Sequence, residues 1–119
     1  MFINLSNHPS AKWLPEQTET AVRSYGDICD LPFPNIRPEA SDAEVKDLAN
    51  AYFRTIRQMA EPAKDAIHVM GEMTFTFALV QLLKADGYTC VASTTRREVV
   101  ETGLDTRIAT FRFVQFRPY

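Results

Sequence analysis

No GxGxxG and no GxxxxGK[ST] run occurs in this chain, and four glycines leave little from which to build one. Those cradles need glycines at fixed spacing so that backbone can approach a phosphate. A redox or ATP-hydrolysing enzyme of the familiar kinds is therefore not expected. Cysteine is scarce too. Cys29 and Cys90 stand in apolar runs with no CxxC, no Cys/His ligand spacing and no secretory leader. They read as two buried thiols of a cytoplasmic protein. No three His, Cys or carboxylate residues fall at ligand spacing, so neither a metal nor a cofactor is expected. The longest apolar stretch, Phe75 to Leu83, is far below the roughly 20 residues that a membrane span needs. Basic excess is also missing. Thirteen Lys and Arg against 15 Asp and Glu give a formal charge of -2, whereas coating a long nucleic acid needs clustered positive charge. Arg96, Arg97, Arg107, Arg112 and Arg117 nevertheless crowd the last quarter, which leaves room for a local anion site.

What is present is an ordinary globular composition, 45% hydrophobic and 24% charged, in a length that suits one domain over residues 1–119. Met1 to Leu5 reads as a first strand. From Lys12 to Tyr25 the residues Leu14, Ala21, Val22 and Tyr25 recur at helical spacing. Pro15 suits the first turn, and Gly26 suits a left-handed cap. Asp27 to Leu31 is a short second strand. Ser41 with Glu44 forms a capping box ahead of the stripe Val45, Leu48, Ala49, Tyr52, Ile56 and Met59, and Pro62 marks the end of that helix. Ala66 to Met70 is apolar apart from His68, as a strand covered on both faces should be. Phe75 to Leu83 is apolar nearly all round and reads as the most buried helix. Tyr88 to Ala92 is a fourth strand, and Arg96 to Glu101 and Arg107 to Phe116 read as extended segments of a closing hairpin about Gly103. In its last strand Ile108, Arg112, Val114 and Phe116 alternate against Ala109, Phe111 and Phe113. Bulk on both faces implies that helices or another subunit sandwich it. The fold class is α/β: a compact, Rossmann-like three-layer domain with a mostly parallel sheet and a C-terminal β-hairpin.

In such a sheet ligands bind at the carboxyl ends of the parallel strands. Three polar stretches fall just after strands. In the first, Ser6-Asn7-His8-Pro9-Ser10, Asn7, His8 and Ser10 can donate to a phosphate or a ribose hydroxyl at a helix start. Ser10 as a plain helix cap and His8 as an exposed turn residue are the simpler roles. In the second, Gly71-Glu72-Met73-Thr74, Gly71 permits close backbone approach and Thr74 can cap the buried helix. Glu72 can favour the helix dipole, accept from a ribose hydroxyl or act as a base. The third, Ser93-Thr94-Thr95-Arg96-Arg97, reads as a turn whose hydroxyls and paired arginines satisfy phosphate oxygens. Alternatively, its arginines pair with Glu98 and Glu101 in a solvated loop. His68 reads as a satisfied core histidine. Trp13 and Tyr25 read as packing of the first helix on the sheet; Phe111, Phe113 and Phe116 can stack bases, but core or interface packing is the simpler role.

With its "NLSNHPS", "HVMGEMTFT" and "ASTTRR" segments and its terminal hairpin, the chain resembles the stand-alone CRISPR-associated Rossmann-fold (CARF) proteins. The resemblance covers nearly the whole chain in layout. It implies a homodimer that binds a cyclic oligoadenylate across its two-fold axis. Some such proteins cleave that messenger as ring nucleases and switch off the type III antiviral response, while others only bind it. Carried over, Ser6, Asn7, His8 and Ser10 correspond to the first-strand loop that contacts ligand. Gly71, Glu72 and Thr74 match the turn that opens the helix beneath the ring, and Thr94, Thr95, Arg96 and Arg97 match the fourth-strand turn. The implied chemistry is metal-free: a ribose 2′-hydroxyl attacks the adjacent phosphodiester and leaves a cyclic phosphate. His8 would be the acid or base, Arg96 or Arg97 would stabilise developing charge, and Asn7 and Thr74 would position the ring.

Two other functions fit the same residues. One is a non-catalytic sensor or sponge for a nucleotide signal. The other is an α/β subunit whose aromatic C-terminal strand pairs with a protein partner, in which case Phe111, Phe113 and Phe116 matter more than the turns.

Overall fold

The computed structural model describes residues 1–119. Its elements are β1 (Phe2–Ser6), a single 3-10 turn (Ser10–Lys12), α1 (Pro15–Tyr25), β2 (Ile28–Asp30) and α2 (Asp42–Met59), then β3 (Ala66–Met70), α3 (Met73–Ala85), β4 (Thr89–Glu101) and β5 (Arg107–Pro118). The sheet order is β2-β1-β3-β4-β5, with β5 antiparallel to β4 and every other pairing parallel. This is the expected α/β architecture. The winding reverses between β1 and β3, which opens a crevice at the carboxyl ends of those strands.

Strand parity divides the core. Ile3, Leu5, Ile67, Val69 and Cys90 face α2 and α3, where they meet Val45, Ala49, Ile56, Phe75, Leu79 and Leu83. Full burial of each large apolar side chain contributes about 1.5–3 kcal/mol, so this layer carries most of the stability. The alternate residues of each strand face the other way. Phe2, Ala66 and Val91 pack with Ala21 of α1, and Trp13, Tyr25 and Phe116 cover them. One helix shields this face where two shield the other. Asn4, Ser6 and His68 lie on the thinly covered side. α3 is the most buried helix, as its composition requires. No helix is long and apolar enough to cross a membrane.

Local differences from expectation have local causes. The first α-helix starts at Pro15 rather than Lys12, because a residue before proline is driven to extended backbone, and Leu14 sits at φ -69°, ψ 152°. Gly26 has the positive φ expected, 85°, but its ψ of -136° lies outside the left-handed helical well. Ser41 does cap α2, its hydroxyl accepting from the Glu44 amide at 3.1 Å. That helix ends at Met59, three residues before Pro62. Cys90 is buried, but Cys29, at the sheet edge, is only half-buried.

The largest correction concerns the fourth strand. Ser93 to Arg97 is not a turn; β4 runs straight through it for 13 residues and pairs with β5 as far as Glu101. Threonine is β-branched and suits a strand when a partner supplies the hydrogen bonds. The pairing slips by one residue between Thr94, opposite Gln115, and Thr95, opposite Phe113. Val114 is the extra residue of this β-bulge. A bulge reverses side-chain phase along a strand, and here it puts Phe116, Phe113 and Phe111 on one face, opposite Ser93, Thr95 and Arg97. The expected alternation of bulk is therefore broken at Val114. Nor is the strand sandwiched throughout: Phe113 is buried and Phe116 half-buried, while Ile108, Phe111 and Val114 are exposed.

Candidate functional site

A groove of about 690 Å³ opens at the carboxyl edge, on the side that α1 covers thinly. The end of β1 contributes Ser6, Asn7 and His8. Lys12, Trp13, Leu14 and Gln17 come from the 3-10 turn and the start of α1. The end of β3 supplies His68, Met70 and Gly71, and the hairpin supplies Ser93, Thr95, Phe111 and Phe113. Sites for small molecules have this size and this mixture of apolar walls with a few convergent polar groups. Phe111, 61% exposed, offers a ring face at one wall.

A row of polar side chains crosses the sheet from strand to strand and reaches the groove at His68 and Ser93. Asp30 pairs with Asn4 in register, and Asn4 pairs with His68. The Asn4 Nδ2 group donates to Asp30 Oδ1 and to the His8 carbonyl, both at 2.9 Å. With its amide nitrogen committed to two acceptors, Asn4 must present its oxygen to the other side. That oxygen accepts from the Ser6 hydroxyl at 2.8 Å and lies 2.9 Å from His68 Nδ1. His68 Nδ1 therefore carries the proton, and Nε2 presents a lone pair to Ser93 Oγ at 3.3 Å. His68 is only 2% exposed and is walled by Phe2, Trp13 and Phe116. Burial, reinforced by the nearby His8 charge, pushes its pKa down to about 4. At neutral pH it is a neutral base with a fixed tautomer.

The turn after β1 is held by its backbone. The His8 carbonyl receives the Asn4 amide and, at 3.0 Å, the Trp13 indole N–H. The His8 imidazole is exposed at the rim and makes no hydrogen bond within the chain. Lys12 also lines the groove, the one Lys or Arg side chain that does.

Of the residues expected at a site, Ser6, Asn7, His8, Gly71, Ser93 and Thr95 line this groove together. The others lie elsewhere. Ser10 neither lines it nor caps α1: its hydroxyl donates to Asp30 at 3.0 Å and ties the 3-10 turn to β2. Thr74 does not cap α3. Glu72 does, its carboxylate accepting from the Thr74 amide at 3.0 Å and the Phe75 amide at 2.8 Å. Hydrogen bonds from the Phe75 amide, the Thr74 hydroxyl and the Thr74 amide hold the Glu72 carboxyl below its usual range. Since a glutamate closes this helix start, its first amides are not open to a ligand anion. The Thr94 hydroxyl donates to the Gln115 carbonyl at 3.2 Å. Arg96 and Arg97 extend along the hairpin, opposite Arg112 and Phe111. By strand parity Arg97 shares the groove face with Thr95, one position farther out, and Arg96 takes the reverse face. Glu98 and Glu101 pair with Arg112 and Arg107, at 3.4 and 3.6 Å, and not with Arg96 and Arg97.

Sequence reasoning missed Lys12 and Gln17 in the lining and Asn4 and Asp30 in the row behind it, preferred packing to stacking for Phe111, and took His68 for core. His68 is indeed buried and satisfied, yet it also faces the groove. A signal was available: Asn4 and His68 each interrupt an apolar strand at its third residue. Parallel strands aligned at their starts put such residues side by side.

One family model matches, that of the uncharacterized protein MJ1673 family, over residues 1–117. No curated protein and no solved structure matches the chain. Because the match runs through both halves of the groove and the whole sheet, this chain belongs to the uncharacterized protein MJ1673 family.

Proposed function

We propose that the groove binds a cyclic oligoadenylate and opens it without a metal ion, in a cytoplasmic homodimer that regulates type III CRISPR signalling. The observation that carries this reading is the joining of aromatic walls to a polar floor in one crevice. The Trp13 and Phe111 rings offer stacking faces for adenine, and such stacking is worth about 1–3 kcal/mol per base. Lys12 offers charge to a phosphate, and Ser6 and Asn7 offer hydrogen bonds to ribose. A groove of about 690 Å³ suits a drug-sized ligand. A ring of three or more nucleotides is larger, which favours two copies facing each other across it.

The chemistry asked of the protein is modest. Holding a 2′-hydroxyl in line with the phosphorus supplies the entropic part of the barrier. Lys12 in the lining, with Arg97 beyond Thr95 on β4, stabilises charge on the phosphoryl oxygens. His8, free at the rim, gives or takes a proton, the task for which imidazole is suited near neutral pH. Glu72 contributes by capping α3 and holding Gly71 at the floor of the groove.

The test is incubation of the protein in excess chelator with cyclic tri-, tetra- and hexa-adenylate. Trp13, the only tryptophan in the chain, reads binding through its fluorescence. Linear products ending in a cyclic phosphate establish ring cleavage. Quenching with an intact ring makes the protein a sensor or sponge. No quenching with any ring refutes the reading.

A further inference from the structure

Every group in the polar row makes hydrogen bonds within the fold, and one of them ends in the groove. Asn4 has both amide hydrogens placed on acceptors, so its oxygen receives the His68 Nδ1 proton at 2.9 Å. The Nε2 lone pair is left with Ser93 Oγ, at 3.3 Å. The Ser93 hydroxyl has a second acceptor, the Met70 sulfur at 3.0 Å. A thioether is a weak acceptor and a neutral imidazole a strong one, so the serine proton belongs with His68. A hydroxyl beside a base, with that base oriented by a third group, is the general arrangement of an activated oxygen. Chain order plays no part in that recognition; geometry does.

We propose that Ser93 carries an activated hydroxyl whose proton His68 takes, with Asn4 as the positioning residue that fixes the imidazole. Its use on a nucleotide ring rests on the function proposed above; the activation itself does not. In ring opening the 2′-oxygen bonds to phosphorus and the bond from phosphorus to the 5′-oxygen breaks. The 2′-hydroxyl proton passes to Ser93 Oγ as the Ser93 proton passes to His68 Nε2. The departing 5′-oxygen takes its proton from His8 or from water. His68 then returns its proton through Ser93 to solvent. Because burial disfavours the imidazolium, His68 holds the proton only briefly, and turnover is slow.

The direct test needs no ring. The full chain is treated with diisopropyl fluorophosphate, which bonds phosphorus to an activated serine oxygen as fluoride leaves, and the adduct is mapped by mass spectrometry. One adduct on Ser93 is expected, absent in Ser93→Ala and formed at least about tenfold more slowly in His68→Gln. No adduct at Ser93, or equal rates with and without His68, overturns the proposal. Ser93→Cys keeps the test open if His68→Gln does not fold: its new thiol should react with iodoacetamide faster than Cys29 does, and an equal or slower rate overturns the proposal. Against a ring, Ser93→Ala should slow single-turnover opening about a hundredfold while Trp13 quenching stays within about threefold of wild type. Opening at an unchanged rate refutes the role of Ser93. Labelling of Ser93 in a protein that opens no ring refutes the ring reading and leaves the activated hydroxyl standing.

Discussion

Replacing His68 should flatten the dependence of stability on acidity, and the size of the effect follows from its burial. In the unfolded chain this imidazole titrates near 6.5; in the fold its pKa is about 4. The folded state thus disfavours the proton. The stability that depends on a neutral His68 is complete above 6.5 and is lost as the pH falls toward 4. At pH 5.0 the unfolded state gains about 30-fold in statistical weight by protonation while the folded state gains almost nothing, a loss of about 2 kcal/mol relative to pH 7.5. His68→Gln removes this term. It also lowers stability at every pH, because the ring stacked on Phe2 at 5.8 Å is gone, so the quantity to compare is the slope. Urea unfolding of both proteins at pH 7.5 and 5.0 measures it. Asp65 and Glu72 also have lowered pKa values and begin to lose their contributions near the acid end. They do so in both proteins and cancel in the difference. Equal losses on acidification in wild type and variant would refute both the burial of a neutral His68 and the tautomer built on it.

Glu72→Ala should cost about 1 kcal/mol in urea unfolding, the usual worth of an N-cap, and Glu72→Gln less because an acceptor oxygen remains. Undiminished stability together with lost ring cleavage would return Glu72 to the role of base. Burial pushes the Cys90 thiol up to about 11, so native protein should react quickly with Ellman's reagent at half-buried Cys29 alone. The second equivalent should appear only after unfolding, and two fast equivalents would disprove the packing of β4 against α3. Gly71→Ala drives a methyl group into the Phe33 ring, which itself packs edge-on against Phe75 at 5.2 Å. Overpacking of this kind costs about 1–3 kcal/mol. Adding Phe33→Leu should recover most of it, and a double variant no more stable than Gly71→Ala would show that Phe33 is not the obstacle.

The secondary elements were legible because their signals are local. Ser41 with Glu44, the apolar stripe from Val45 to Met59, the unbroken runs Ala66–Met70 and Phe75–Leu83, and Gly26 each act over a few residues. No tertiary partner is needed to read them. The candidate site was half legible for the same reason. Ser6, Asn7, His8 and Gly71 follow strands that could be recognised, and the carboxyl edge of such a sheet is where ligands sit. Ser10, Glu72 and Thr74 fell out because polar residues at chain turns have two uses. Whether a carboxylate meets a ligand or the next helix's amides depends on tenths of an ångström.

From its sequence alone this chain is an α/β domain with a polar edge, because periodicity and strand-end chemistry are properties of neighbouring residues. Three things needed the tertiary structure. β4 runs unbroken through Ser93 to Thr95, joining Tyr88–Ala92 to the extended Arg96–Glu101, because β5 returns beside it to supply hydrogen bonds. The slip at Val114 turns Phe111 and Phe113 toward the groove, and no pattern within β5 predicts on which residue a ladder will slip. The row from Asp30 through Asn4 and His68 to Ser93 draws one residue from each of four strands, and Asn4 and His68, bonded to each other within it, stand 64 positions apart. Its members become neighbours only when strand order and register are set, and those are set by which faces the helices cover.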